Sequence, residues 1–349
     1  MPDLDMRRGW YVETDTPDEV DRQLVHALVI APRAPFRLLA DVIGVSDQTI
    51  ARRYRKLCSA HGLRVTAVLN AVPLGWTDWY VRLQTTPGHA DGIAQALARR
   101  PDTRWITLAS GGTEITCMLQ ARAPEERDDL FLRGLPGSRR VTQITAQSIL
   151  CLYSPVEWGG LTSTLSADQV APLRASNGYP GNVPRDPPPT QDVPAEPVPL
   201  RPDDHLLLAE LAKDGRASAA ALAAALHWHE STVRRRIEEL QQQNVLYFDV
   251  DVREEFLGMH LSAMLWLAVE PAYLDETGRA ISRHLEVPFV AATTGHTNLV
   301  VSALFRNTRH MYQYLTTRLA GLAGIRSVET APIIGRFKQA GPATPGLNG

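Results

Sequence analysis

Residues 46–57 read SDQTIARRYRKL, and residues 229–240 read HESTVRRRIEEL. Each opens on a polar residue, returns an apolar residue every three or four places, and crowds arginines between them. Ser46 carries a hydroxyl oxygen that can accept from an orphan backbone N–H at a helix start. At about 100° per residue, Ile50, Tyr54 and Leu57 fall on one side of such a helix, which predicts a core seam. Gln48, Arg52 and Arg55 point the opposite way. In the second segment Val233, Ile237 and Leu240 form the seam. Ser231 and Arg235 project outward beside Arg234, and Glu238 replaces Arg55.

The likeness extends outward in both directions. An offset of 183 aligns Asp21 with Asp204, Leu24 with Leu207, Leu28 with Leu211, Arg33-Ala34 with Arg216-Ala217, Leu39-Ala40 with Leu222-Ala223, and Gly75 with Gly258. Further on, an offset of 184 aligns SGGTEI from Ser110 with TGHTNL from Thr294. The chain is an internal duplication. Two long copies mean duplicated domains, not a solenoid of short repeats.

Within each copy the apolar period changes from helical to alternating. FRLLADVIGV spaces Phe36, Leu39, Ala40 and Ile43 as a helix that Gly44 ends. From Trp76 onward, Trp79, Val81 and Leu83 share one face and Tyr80, Arg82 and Gln84 the other, which predicts a strand. A helix over 88–100, two strands joined near Gly111-Gly112, a helix opening at Pro124 and a strand over 141–153 complete the order β-α-β-β-α-β. Copy two repeats it with strand 260–269, helix 271–285, strands around Gly295, helix 308–320 and strand 325–336. The expected fold class is α+β: two three-helix helix-turn-helix domains (18–64, 203–247) and two βαββαβ ferredoxin-like domains (65–155, 248–337), in tandem. In LSAMLWLAVE, Leu261, Ala263, Leu265 and Leu267 share one face, yet Met264, Trp266 and Ala268 fill the other. A sheet apolar on both faces is covered on both. Helices take one face, and a second sheet is expected on the other, so the two sensing domains are expected to pair with each other or with those of another chain.

Between the copies, residues 156–202 read as a linker. Ten of the 32 residues from Ala171 to Pro202 are proline, which favours extended backbone without ladder hydrogen bonds. One short helix begun by Ser166 is expected just before. The linker is expected to leave both helical units free to reach separate sites, and residues 338–349 read as a tail.

Composition narrows the function. The 349 residues are 44% apolar and 21% charged, ordinary for a globular protein, and the net charge is −2. No apolar run approaches a membrane span and the N-terminus has no apolar leader, so no membrane partner and a cytoplasmic location are expected. The three cysteines, Cys58, Cys117 and Cys151, are widely spaced and fit a reducing compartment. His227 and His229 flank Trp228, but nothing completes a metal set, and His229 reads better as a helix cap. No dinucleotide, phosphate-loop, serine-elbow or zinc-protease motif occurs. No catalytic residue, metal or cofactor is expected.

Nucleic-acid binding therefore rests on a local patch. Over 46–64, Arg52, Arg53, Arg55, Lys56 and Arg64 face Asp47 alone, a net of +4. Over 229–246, Arg234, Arg235 and Arg236 are balanced by Glu230, Glu238 and Glu239. Arginine suits guanine edges and phosphate, and glutamine can pair with adenine. Counterion release favours the first copy as the stronger contact. A capped helix with a wet arginine face is common. The three-helix spacing, with a tight turn before this helix and recurrence in a duplicate, is what points to a helix-turn-helix seated in a major groove. The two helices differ at Gln48/Ser231 and Arg55/Glu238, so an asymmetric operator is expected. Gly111, Gly112 and Gly295 would let backbone N–H groups approach a carboxylate, with Glu114 meeting an ammonium; a plain hairpin turn explains the same glycines.

Each half resembles the Lrp/AsnC (feast/famine) family of transcriptional regulators. The likeness lies in DRQLVHAL with LLADVIGVSDQTIARRYRKLCSAHGLR, in DDHLLLAELAKDGRASAAALAAALHWHESTVRRRIEELQQQNVL, and in TLASGGTEI and ATTGHTNLV. It covers about residues 20–155 and 203–337. The resemblance implies a transcription factor whose sensing domains, of the RAM type, pair through their sheets and bind a small amino-acid-like effector. On that reading the DNA-contacting residues are Ser46, Gln48, Thr49, Arg52, Arg53, Arg55, Ser231, Thr232, Arg234, Arg235 and Arg236. Gly111, Gly112, Glu114, Gly295, His296 and Asn298 meet the effector. Where the family has an aspartate between the middle strands, this chain has Glu114 and Asn298. Double-stranded DNA, a metabolite and a homo-oligomer formed through the sheets are the implied partners. The alternatives are a ligand-binding enzyme on ferredoxin-like domains, or a protein-interaction sensor that does not bind DNA.

Overall fold

The computed structural model describes residues 17–123, four separate positions between 125 and 134, and residues 140–153, 164–176 and 196–341. Copy one holds α1 (Glu19–Ile30), α2 (Phe36–Ile43), α3 (Asp47–His61), β1 (Arg64–Leu69), β2 (Thr77–Thr85), α4 (Ala90–Ala98), β3 (Thr103–Ala109), β4 (Glu114–Ala121) and β5 (Val141–Leu152). After α5 (Ala167–Ser176), copy two holds α6 (Asp204–Lys213), α7 (Ala219–Leu226), α8 (Glu230–Gln242), β6 (Leu246–Asp251) and β7 (Leu261–Val269). It ends with α9 (Leu274–Ser282), β8 (Phe289–Thr293), β9 (Leu299–Phe305), α10 (Thr308–Gln313) and β10 (Ile325–Lys338). The helix expected from Pro124 and the residues around Trp158 lie outside the described residues.

The helical units form for the reasons read in the sequence. Asp18 caps α1, with Asp21 closing the reciprocal box. Gly44, at φ 82°, ends α2, and Ser46 Oγ accepts from Thr49 N at 3.2 Å to start α3. Leu24, Leu28, Leu39, Ile50 and Leu57 make the core of the first unit. Leu207, Leu211, Leu222, Val233 and Leu240 make that of the second. His229 occupies the cap position of α8 without a side-chain hydrogen bond, so its expected capping role is positional only.

Each half builds a four-stranded antiparallel sheet, and the two sheets join at both edges. The strand order around the closed barrel is β10-β3-β4-β2-β5-β8-β9-β7. Helix-side cores lie outside it, around Val81, Leu83, Ala94 and Ile115 in copy one and Leu265, Leu267, Ile281 and Val301 in copy two. A third core fills the inside, with Tyr80, Met118, Met264, Trp266 and Ala331. The second face of LSAMLWLAVE is thus covered by a sheet, as its pattern required. That sheet belongs to the same chain, so the two sensing domains pair with each other, the first of the two pairings expected, and the apolar inner faces are used up within one molecule.

The last strand of each copy crosses to the other. β5 pairs with β8 and β10 pairs with β3. Tyr153, just past β5, packs in the copy-two core. Phe337, its counterpart 184 residues later, packs in the copy-one core. Gly278 on α9 makes room for this exchange, since a Cβ there would stand 2.5 Å from the Tyr153 ring.

The helical units are exchanged in the same way. β1 and β6 pair over Arg64–Leu69 and Leu246–Asp251. Val65 enters the core of the second unit, and Phe256 that of the first. The described parts of the 156–202 segment are docked. Leu165 and Leu173 are buried against the first unit, Gln169 Nε2 donates to Val42 O at 2.8 Å, and Val198 and Leu200 pack on the second unit. Burying a leucine such as Leu173 contributes about 1.5–3 kcal/mol, which favours docking α5 over a free tether. The units are also joined directly through Arg33 and Arg216.

Candidate nucleic-acid interface and effector loops

On α3 the side chains of Gln48, Arg52 and Arg55 are exposed, with Ser46 and Thr49 at the cap. Arg52 makes no ion pair among the described residues. Arg55 Nε donates to Ala51 O at 3.2 Å, leaving the rest of its fork outward. Arg53 corrects the expectation. Its Nη1 lies 2.6 Å from Asp18 and 2.8 Å from Asp21, and that second carboxylate is buried. It braces α3 against α1 and leaves the contact set.

α8 repeats the arrangement. Ser231, Arg234 and Arg235 are exposed and Thr232 half-buried. Arg236 is buried, with Nη2 2.6 Å and Nε 2.7 Å from the Asp204 carboxylate, and it too leaves the contact set. Burial works against the charge of Asp204, yet hydrogen bonds from Arg236 and from Arg201 N hold its carboxyl below the usual range. The outward arginines are answered locally: Arg234 pairs with Glu230 at 3.0 Å and Arg235 with Glu239 at 3.5 Å. Exposed pairs of this kind are worth about 0–1 kcal/mol, so a phosphate can displace them. The motif's first helix crosses the DNA backbone, and Arg37, exposed on α2, is a basic residue there that the sequence reading passed over.

The loops expected to hold an effector are tight turns. Ser110, Gly111 and Gly112 have φ of 52°, 67° and 89°, and Gly295 has φ of 103°. Three are glycines because only glycine adopts this region without strain. Glu114 is not poised for a ligand ammonium. It is buried, its Oε1 accepting from Arg82 Nε at 2.7 Å and its Oε2 from Arg82 Nη2 at 2.9 Å and Ser110 Oγ at 3.2 Å. Asn298 is spent on the backbone of β7, accepting from Val269 N at 2.8 Å and donating to Val269 O at 2.9 Å. Both corrections have one cause: each side chain ties the loop to a neighbouring strand. Gly111, Gly295 and His296 stay exposed. Sequence reasoning also missed Gln147 of copy one, whose Nε2 donates to Thr294 O at 2.6 Å and Thr297 O at 2.8 Å in the copy-two loop.

Arg82 also reaches the other half, donating through Nη1 to Glu329 at 2.9 Å. Burial opposes its charge, but the two carboxylates raise its pKa, and its hydrogen bond lowers that of Glu329. Cys117 is buried and its thiol is pushed up to about 12, which keeps it an inert core residue. Among the described residues no group of three or more His, Cys, Asp or Glu side chains is placed to hold a metal, and no helix is long and apolar enough to cross a membrane.

Two helix-turn-helix heads on one closed barrel define a double-headed DNA-binding architecture. Residues 18–57 and 203–241 match the AsnC-type helix-turn-helix domain, and residues 262–343 match the Lrp/AsnC ligand binding domain. An uncharacterised HTH-type transcriptional regulator of Pyrococcus abyssi is 26% identical over 129 residues, 37% of this chain and 82% of that protein. The HTH-type transcriptional regulator FL11 of Pyrococcus horikoshii is 24% identical over 143 residues, 41% of this chain and 94% of that one. These relatives are one copy long. The siroheme decarboxylase NirDL matches in structure over 92% of this chain and 93% of its own, with a TM-score of 0.59 and 12% identity, a likeness of fold. The chain is thus built from Lrp/AsnC-family domains, two AsnC-type helix-turn-helix domains and an Lrp/AsnC ligand binding domain.

Proposed function

We propose that the chain regulates transcription by binding duplex DNA through both helical heads, with α3 as the stronger reader. The observation that carries this is the outward face of α3, where Gln48, Arg52 and Arg55 stand exposed while Arg53 is turned inward. Ser46 and Thr49 supply cap contacts to phosphate. On α8, Ser231, Thr232, Arg234 and Arg235 form a weaker, charge-balanced reader. A small amino-acid-like effector modulates binding at the exposed turns, with Gly111, Gly112, Gly295 and His296 as its contacts. Any assembly of further chains falls to the outer surface, where Leu150 and Ile334 stand exposed at equivalent positions.

Selection of bound duplexes from a randomised pool, followed by gel shift across a salt series, tests this. Expected is an enriched asymmetric sequence whose affinity falls steeply with salt. No enrichment at any salt concentration sinks the proposal.

A second reading follows from the full-length likeness to NirDL: an enzyme acting on a tetrapyrrole. The barrel interior of this chain speaks for the regulator, because Tyr80, Met118, Met264 and Trp266 fill it. Titration with siroheme followed by absorbance separates the two. No spectral change is expected, and a saturable change favours the enzyme.

A further inference from the structure

Arg33 and Arg216 occupy equivalent turns, each between the first and second helix of its unit. Arg33 donates from Nη2 to Ala217 O at 3.0 Å and from Nη1 to Gly215 O. Arg216 returns the contact, from Nη1 to Pro32 O at 2.5 Å and from Nη2 to Ala34 O at 2.7 Å. Arg33 lies 5.1 Å over the Phe248 ring, and Arg216 lies 4.9 Å from Phe36 and 5.3 Å from Tyr54. Tyr54 belongs to the seam of α3, so an arginine of copy two touches the reading helix of copy one. Burial lowers the pKa of both, and for Arg33 the nearness of Arg216 adds to it. Four carbonyls and three rings hold this like-charged pair together.

The β1–β6 ribbon takes the end of each reading helix, because α3 and α8 both run into it, and Val65 O on β1 also accepts from Gly215 N at 2.8 Å beside the Arg216 turn. The arginine contacts join the two turns directly to each other, and this second set of contacts beside the ribbon defines an orientation. We propose that Arg33 and Arg216 are positioning residues that fix the distance and rotation between the two DNA-reading heads, so that the chain selects half-sites at one spacing. This rests on the DNA-binding reading above.

The test uses the full chain and the duplex it selects, with 5 or 10 base pairs inserted between the half-sites. About 10 base pairs restore the facing of the second half-site but move it by roughly one helical turn of ~34 Å. The clasped heads are expected to lose about tenfold or more in affinity for both insertions. The double variant Arg33→Gln/Arg216→Gln is expected to regain binding at 10 base pairs, to within roughly threefold of the uninserted duplex. Arg33→Lys/Arg216→Lys keeps the charges but not the fork, and is expected to behave like it. Wild-type protein that tolerates the 10-base-pair insertion overturns the inference whether or not the variants fold. Folded variants as intolerant as wild type assign the spacing to the ribbon and overturn the role of the arginines. If no duplex is selected at all, it is the DNA-binding reading that has failed.

Discussion

Arg82 and Trp266 stand 184 residues apart at the same place in the two copies, and the guanidinium carbon of one lies 4.0 Å over the ring of the other. Duplicated positions that touch mark a pseudo-two-fold axis through the barrel. The pair also shows how the halves have diverged. One copy keeps a cation that binds Glu114 and Glu329, and the other offers the aromatic face it rests on. The Trp266 indole N–H has no hydrogen-bond partner among the described residues, so stacking and packing hold the ring.

Arg82→Ala leaves Glu114 buried beside no cation. Breaking a buried pair from one side costs about 3–5 kcal/mol. Glu329 is half exposed at 52%, so Glu329→Gln is expected to cost about 1 kcal/mol or less. Urea unfolding of both variants checks the contrast. Equal losses contradict the assignment of Glu114 as the buried partner.

Tyr153→Ala removes an aromatic that copy one lends to the core of copy two. The expected loss is about 3–5 kcal/mol, falling on the copy-two barrel half. Hydrogen exchange is expected to show lost protection in β8 and α9. Protection lost only in copy one would contradict the exchange.

Arg52→Ala and Arg53→Ala are neighbours with opposite expected outcomes. Arg52→Ala is expected to weaken DNA binding by about 1–3 kcal/mol with little change in stability. Arg53→Ala is expected to destabilise the first helical unit, because Asp21 loses its cation, while the folded fraction still binds. Melting and gel shifts on the same samples separate them.

Asp251→Asn tests a buried carboxyl. Burial, then the adjacent Asp249, push the Asp251 carboxyl well above its usual value, against Arg336 and Arg64. Its folded pKa exceeds the unfolded value of about 3.9, so folding carries a penalty that grows as pH rises through that interval. The asparagine variant is expected to be more stable by on the order of 1 kcal/mol at neutral pH, with the gain fading toward pH ~4. A gain that persists unchanged in acid contradicts this.

The units and their seams were legible because capping and periodicity are local. Met264, Trp266 and Ala268 announced a second apolar face covered by a sheet, but not whether copy one or another chain would supply that sheet. Partner choice lies in contacts such as Arg33 to Ala217, separated by most of the chain, which no local pattern encodes. Arg53 and Arg236 were misread because a helical wheel places them between seam and solvent. A signal was present: Asp21 and Asp204 recur at the same distance before them, and a buried carboxylate asks for a cation. The glycines of the turns were read correctly as backbone devices. Glu114 and Asn298 were not, because nothing in the sequence marks Arg82 or the Val269 backbone as their partners.

The most direct measurement is a footprint of the selected duplex, taken on a complex whose composition is fixed by native mass. One chain is expected to protect two adjoining half-sites of different sequence, the more strongly held one weakened by Arg52→Ala. A single protected site per chain, or two identical half-sites that each require a chain of their own, would contradict a regulator carrying both heads in one molecule.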